Sequence, residues 1–280
     1  MSADRSYLFV PGSDDEGVVE AIGSPADVVI VDLEDTVSPA AKAAAREWTL
    51  ETLADLGETS QRLAVRVNGV DTDRGIDDVR TIATADALPD VLLLPDVRDA
   101  SEVRLVDDVL DEYGVDVDLH PLIEKPSAMF DAQGIARVSE RIHGLMFAAI
   151  DFQMNMGMSI LDETDLSVPR FLLSMAANGA GVHAVDKPNL AAVHDEERTR
   201  AEARAAKAVG FDGKAAMTVE QAAVINDVFS PSAEEVARAK RVIDAFEATD
   251  EGVTVIDGAA VDKPVVDQLR ALVDRAESKK

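Results

Sequence analysis

Short runs of apolar and β-branched residues recur along the chain, and each is followed by a helix-like segment. The runs are Ser6–Val10, Val28–Leu33, Leu63–Asn68, Val91–Pro95, Asp118–Glu124, Ile142–Asp151, Val182–Asp186 and Gly213–Thr218. Runs this short and this apolar suit strands buried on both faces, and regular alternation with helices gives parallel strands joined by crossovers. Eight such units in 280 residues predict an α/β fold, a (β/α)8 TIM barrel. An open doubly wound sheet would favour a glycine-rich phosphate turn after the first strand. The turn here is Pro11-Gly12-Ser13-Asp14-Asp15-Glu16, with one glycine and three acids, which cradles a pyrophosphate poorly.

The helices carry their own punctuation. Pro39–Leu56 is rich in Ala, Leu and Glu, with Pro39 at a first-turn position. Ser101 reads as an N-cap and Gly114 as the stop of the helix between them. Val168–Asn178, Glu196–Val209 and Val219–Val228 follow the same rule. These boundaries predict a barrel over residues 1–230. Residues 231–280 form a C-terminal extension that packs on the barrel or on a neighbouring subunit: a helix opened by Ser232, two short extended runs around Asp257-Gly258, and a last helix.

Composition removes several chemistries. With no cysteine, disulfides, thiolate nucleophiles and thiolate metal sites are excluded. The 54 acidic against 27 basic residues give a net charge of −27, which repels nucleic acid and anionic membranes. The chain is still 47% hydrophobic, enough for a large core, so the charge reads as a salt-adapted, halophilic surface rather than as disorder. No apolar stretch is long enough to span a membrane. MSADRSYLFVPG lacks the basic and apolar regions of a signal peptide, which predicts a cytoplasmic protein.

In a barrel of this kind functional groups gather at the C-terminal ends of the strands. Those ends supply Phe9, the cluster Asp32, Glu34 and Asp35, then Arg66, Glu124, Asp151, and finally Met217 and Thr218. Glu124 and Asp151 come from adjacent units. Two carboxylates with positions left for water and substrate suit Mg²⁺ or Mn²⁺. The alternative is that Glu124 pairs with Lys125 or an arginine while Asp151 caps a helix. Arg66, flanked by apolar residues, needs a partner if buried. It reads as a salt bridge to the Asp32–Asp35 cluster, as a bidentate clamp for a substrate carboxylate, or as both. The four histidines look scattered, with no pair spaced for zinc. His120 and His183 read as core or rim residues, His194 as surface. Met154, Met156 and Met158 read as core or lid packing. Lys187 reads as a salt bridge to Asp186 or another rim acid.

RSYLFVPG, DVVIVDLEDTV, VRVNG, PLIEKP, a strand leading to Asp151, GFDGK, VFSPSAEEV and AAVDKPVV occur in that order. Taken together they resemble the citrate lyase β-subunit-like branch of the HpcH/HpaI aldolase superfamily, over nearly the whole chain. The resemblance implies a Mg²⁺-dependent TIM barrel forming homotrimers or hexamers. It also implies acyl-CoA and small 2-oxo acid substrates, and a carbon–carbon lyase activity on malyl-CoA or β-methylmalyl-CoA. The alternatives are a malyl-CoA thioesterase and a citrate lyase β-like subunit working in a complex. By the same resemblance Glu124 and Asp151 hold the metal, and Arg66 binds the acyl substrate beside Phe9, Met217 and Thr218. Asp262 is the acid or base and reaches a neighbouring subunit's site. Asp32, Glu34 and Asp35 stand behind the metal site. The chain departs from the family where basic residues often follow the first-strand turn; here the stretch is SDDEGVVEAIG.

Overall fold

The structure, a computed structural model, describes residues 4–56, 59–160, 164–249 and 252–277. Eight strands close into a barrel in chain order: β1 (Ser6–Pro11), β2 (Val28–Asp32), β3 (Arg62–Arg66), β4 (Val91–Leu94), β5 (Asp118–Ile123), β6 (Gly144–Phe147), β7 (His183–Asp186) and β8 (Gly213–Ala216). Every neighbouring pair is parallel, and β1 pairs with β8 to complete the ring. The expected (β/α)8 barrel is what the chain forms.

Helices alternate with the strands: α1 (Asp15–Ile22), α2 (Lys42–Leu56), α3 (Asp73–Ala83), α4 (Ala100–Tyr113), the short α5 (Pro126–Phe130) and α6 (Ala132–Ile135), α7 (Ala149–Asn155), α8 (Ser167–Ala180), α9 (Glu196–Ala208) and α10 (Val219–Phe229). The α4 boundary differs by two residues from expectation. Asp99, not Ser101, is its N-cap, its carboxylate accepting from the Ser101 amide at 2.8 Å. Aspartate competes well for this role. Gly114 ends the helix in the left-handed conformation, φ 66°. Helix α2 starts at Lys42, three residues after Pro39.

The barrel interior is filled by Tyr7, Val28, Ile30, Ala64, Val91, Leu93, Leu122, Met146, Val185 and Ala215, all buried. Burying each large apolar side chain here contributes roughly 1.5–3 kcal/mol. Side chains alternate along a strand, so the interior parity continues upward from Ile30 to Asp32, from Ala64 to Arg66, and from Leu122 to Glu124. The same parity that packs the core therefore lifts three charged groups into the mouth. Asp186 has the opposite parity, one residue past the core member Val185. It is fully buried and takes Arg170 of α8 at 2.8 Å and the fully buried Lys214 at 2.9 Å. Lys187 pairs with Glu202 at 3.0 Å.

Three of the four histidines are not scattered. His120, His143 and His183 stack in series at the N-terminal end of the barrel, ring centroids 5.4 and 4.4 Å apart, with Tyr7 5.6 Å from His120. They come from neighbouring strand starts, a proximity that only barrel closure creates. A Cβ on Gly144 would sit 2.9 Å from the His120 ring, so the glycine makes room for it. His194 is exposed, as expected. Met154 and Met156 are about half exposed rather than packed.

Contacts divide the described residues into two compact units, 4–226 and 227–277. The second holds α11 (Ala233–Glu247), a hairpin of β9 (Val253–Ile256) and β10 (Ala259–Asp262), and α12 (Lys263–Glu277). Ser232 and Glu235 form a reciprocal capping box at the start of α11. Val242, Val261 and Val266 make a small core of their own. Among the described residues no helix is long and apolar enough to cross a membrane.

Candidate active site

Arg66 ends β3, buried and ringed by acids. Its Nε and Nη2 donate to the two oxygens of Asp32, both at 2.7 Å. Its Nη1 lies 2.8 Å from Glu34 and 3.4 Å from Asp35. Phe9 of β1 lies under the guanidinium, 5.3 Å from ring centroid to Cζ. Burial alone would make a guanidinium easier to deprotonate, but the Asp32 hydrogen bonds and the three negative charges hold its proton more tightly than usual.

Asp32 is spoken for. Besides Arg66, its carboxylate accepts from the Glu34 amide at 2.8 Å and from the Thr36 hydroxyl and amide at 2.6 and 3.3 Å. Burial pushes its pKa up, yet Arg66 and these donors outweigh burial and hold it below the usual carboxylate range. A carboxylate with both oxygens saturated is an anchor for Arg66, not a ligand. Glu34 differs: burial is the main cause of a rise to about 8, with Arg66 opposing it and Asp35, Glu124 and Asp32 adding to it.

Glu124 follows β5 and is buried. It accepts a hydrogen bond from the Asp96 amide. Burial raises it to about 7 against that hydrogen bond, and the charges of Asp151 and Asp96 add to the rise. Asp96 itself sits at φ 60°, in the left-handed region that aspartate tolerates better than most residues, and this turns its amide onto Glu124. Lys125 binds Asp96 rather than Glu124.

Asp151 is not at a strand end. β6 stops at Phe147, and Asp151 stands in the first turn of α7. Past Ala148, whose amide still reaches Ile123 at 3.3 Å, β6 has no strand left to pair with, and the Ala-rich sequence turns into helix. Asn155, one turn on, donates to the Glu124 carbonyl at 3.0 Å and so ties α7 to the end of β5. Burial raises the Asp151 pKa, the charge of Asp35 adds to this, and Arg66 opposes it.

Met217 and Thr218 follow β8 and are engaged with α10: the Met217 amide donates to Gln221 at 2.8 Å and the Thr218 hydroxyl accepts from the Gln221 amide at 3.2 Å. Asp262 ends β10 in the second unit, its carboxylate accepting from the Val265 amide at 3.2 Å. A cavity of about 670 Å³ opens beside α7 between Ile150, Gln153, Arg170, Lys187, Asn189 and Glu202. It includes neither Glu124, Asp151 nor Arg66, and Arg170 and Lys187 in it already hold carboxylate partners. The acid-ringed Arg66 lies apart from that lining.

The mouth suits a hard divalent cation. Glu124 and Asp151 offer oxygen donors, burial destabilises their charges, and among the described residues neither has an ion-pair partner. Among the described residues no three His, Asp or Glu side chains converge to enclose an ion. The pair would thus leave most coordination positions to water and substrate, as Mg²⁺ prefers.

Residues 5–218 match the HpcH/HpaI aldolase/citrate lyase family. The chain belongs to that family. It is 35% identical to a (3S)-malyl-CoA thioesterase of Cereibacter sphaeroides, over 98% of this chain and 95% of that one. It is 32% identical to the citrate lyase subunit beta of Escherichia coli, over 98% and 93%. A crystal structure of the protein CitE from Mycobacterium tuberculosis, in complex with magnesium, acetoacetate and coenzyme A, superposes with a TM-score of 0.84 at 29% identity, covering 99% of both chains. Family members are lyases or thioesterases, so the chain is an enzyme.

Proposed function

We propose that this enzyme breaks a carbon–carbon bond in a 3-hydroxyacyl-CoA such as malyl-CoA, with Mg²⁺ held by Glu124 and Asp151. The observation that supports this reading is that buried Glu124 and half-buried Asp151 make no ion pair among the described residues, while each feels the other site acids and Asp151 feels the charge of the acid-ringed Arg66. Support also comes from the relatives: CitE of M. tuberculosis has been crystallised with magnesium, acetoacetate and coenzyme A, and the citrate lyase β subunit from M. tuberculosis with oxaloacetate and magnesium.

Glu124 and Asp151 would hold the cation, which would supply Lewis acidity toward the oxygens of the malyl part. The chain's own residues do the rest. As the hydroxyl gives its proton to solvent water, the bond between the carbinol carbon and the methylene breaks, releasing glyoxylate and the enolate of acetyl-CoA. Arg66 stabilises the negative charge on the thioester oxygen. Asp32 keeps the guanidinium in plane, and Phe9 covers its face. Asp262, brought by a neighbouring subunit of a homotrimer or hexamer, gives the enolate carbon its proton, completing the methyl group. Met217 and Thr218 line the acyl path. Thioester hydrolysis by the same groups is the second reading, favoured by the identity to a malyl-CoA thioesterase.

The test is to incubate the purified protein with Mg²⁺ and malyl-CoA at high salt, following glyoxylate and free thiol in parallel, with Glu124→Ala as control. Glyoxylate with little free thiol supports the lyase. Free thiol without glyoxylate overturns it for the thioesterase. Neither product, with metal still bound, overturns malyl-CoA as substrate and points to another acyl carrier or a missing partner.

A further inference from the structure

Helix α2 stands outside the barrel, yet its first residue reaches into the mouth. The Lys42 ammonium donates to three acceptors: the Leu33 carbonyl at 3.0 Å, the Glu34 carbonyl at 2.7 Å and the Asn68 amide oxygen at 2.6 Å. Two of these lie in the loop after β2, between Asp32 and Asp35. The third lies two residues past Arg66. One ammonium thus ties together the two segments whose side chains form the Arg66 ion-pair set.

Asn68 is itself held by Asp78 of α3. Its amide and its side-chain NH₂ both donate to Asp78, at 3.0 and 2.5 Å, and the side chain also donates to the Leu33 carbonyl at 3.2 Å. Asp78, buried, takes Arg46 at 2.8 Å. Lys42 and Arg46 stand four residues apart on α2, one helical turn, so one face sends Lys42 to the loop after β2 and Arg46 to Asp78 of α3. Lys42 acts on the loop directly and Arg46 through Asp78 and Asn68.

We propose that Lys42 is a positioning residue of this active site, fixing the Glu34 backbone and so the place of Glu34 against Arg66 Nη1. It touches no reacting atom. Three donors on a compact ammonium match three converging oxygens, two of them carbonyls whose other donors are the Asn68 side chain at 3.2 Å and the Val37 amide at 3.2 Å. Without the clamp the Leu33 amide still reaches the Arg66 carbonyl and Asn68 still reaches the Leu33 carbonyl, but the Glu34 carbonyl loses its tie to the segment after β3, while Glu124 and Asp151 lie on other elements. The inference rests on the function proposed above for its kinetic part only.

Lys42→Met and Lys42→Arg are compared with the wild type in three measurements. Amide hydrogen exchange is read at Glu34 and Thr36, both of which donate to Asp32. Mg²⁺ stoichiometry is read by calorimetry, which reports the folded fraction. Steady-state kinetics are read with malyl-CoA. In Lys42→Met the two amides exchange faster. Its kcat falls by about ten- to a hundredfold, as for other groups that orient a catalytic residue. Its KM and Mg²⁺ stoichiometry hold. Lys42→Arg recovers part of the loss. Unchanged exchange overturns the clamp, and faster exchange with unchanged kcat overturns its role in the reaction. A wild type inert toward malyl-CoA sinks the proposed substrate instead, and the exchange comparison still decides the clamp. If Lys42→Met does not fold, Lys42→Gln keeps a hydrogen-bond donor without the charge and is read in the same way.

Discussion

Arg66 and Asp32 are register partners on adjacent strands and meet edge to edge, with two N–H···O bonds of 2.7 Å inside the barrel. Two charges this deep stay charged only because each satisfies the other and further donors saturate the carboxylate. The pair holds the planar guanidinium at a fixed angle while leaving Nη1 directed at Glu34.

Breaking that pair from one side is expected to be costly. Asp32→Asn is predicted to lower unfolding free energy by about 3–5 kcal/mol, because it leaves a buried guanidinium underpaired. Urea unfolding near neutral pH checks this. Arg66→Lys keeps the charge but loses the fork, and its kcat is expected to fall roughly 10²–10³-fold. A lysine variant with near wild-type turnover would remove Arg66 from the mechanism. The folded Asp32 pKa is depressed, so its stabilisation is present above the unfolded carboxylate range and is lost only as pH falls through the folded value. Near-neutral titration therefore leaves this pair intact.

Glu124 gives a different pH signature. With its carboxyl pushed up to about 7, a proton competes with the cation across the neutral range. Mg²⁺ affinity is expected to rise with pH below about 7 by up to tenfold per unit, and to level off above it. Calorimetric titrations at several pH values test this. Glu124→Gln is expected to weaken binding and to abolish the slope. An affinity flat in pH for the wild type would mean that Glu124 is not a ligand.

The barrel and its mouth were largely legible in the chain. Alternating apolar runs and helices determine the (β/α)8 topology, and strand-end positions bring Arg66 to the Asp32–Asp35 cluster and the neighbourhood of Glu124. What was not legible depends on closure and on non-local register. Nothing in the spacing of His120, His143 and His183 tells that their strands start side by side. The fate of Asp151 turned on where β6 loses its pairing partner, a tertiary fact, so the residue moved from a strand end to a helix turn. Asp96 contributes through a backbone amide at positive φ, which a Pro-Asp pair after a strand hints at without specifying. Lys42 and Asn68 carry no such signal, because two of the Lys42 acceptors are backbone carbonyls and Asn68 meets Asp78 only through the packing of α3 on the barrel.

The histidine stack predicts acid sensitivity. Burial, with the neighbouring His183 and Arg62 charges, pushes His143 down to about 4, against some relief from Asp118, and burial pushes His120 far below its usual value. His143 faces Asp4 at 3.8 Å and Asp118 at 3.7 Å. A histidine whose folded pKa is depressed takes its proton first in the unfolded chain. The stabilisation is therefore full above about 6.5, the unfolded value, and drains away as pH falls toward the folded values. Melting temperature is expected to drop between pH 6.5 and about 4, and to drop less in His143→Gln. Equal slopes for the two proteins would show that the stack does not titrate on unfolding.

The surface makes a separate prediction. Acids crowd the exposed helix faces, as at Asp15, Glu16 and Glu20 on α1 and at Asp108, Asp111 and Glu112 on α4. At a net charge of −27 the folded state repels itself more than the expanded chain does. Raising salt from 0.1 to 1 M shortens the screening length from about 10 to about 3 Å, which separates most of these surface charges from one another. Each ~1 kcal/mol of relieved repulsion raises Tm by about 2–4 °C in a chain of this size class. Melting temperature is therefore expected to climb steadily with KCl through the molar range. An osmolyte such as sucrose strengthens burial without screening charge, so it separates the two causes. A climb with KCl well beyond that with sucrose supports the salt-adapted surface, whereas a Tm indifferent to KCl would mean that the local ion pairs, such as Arg5–Asp27 at 2.7 Å, already balance the charge.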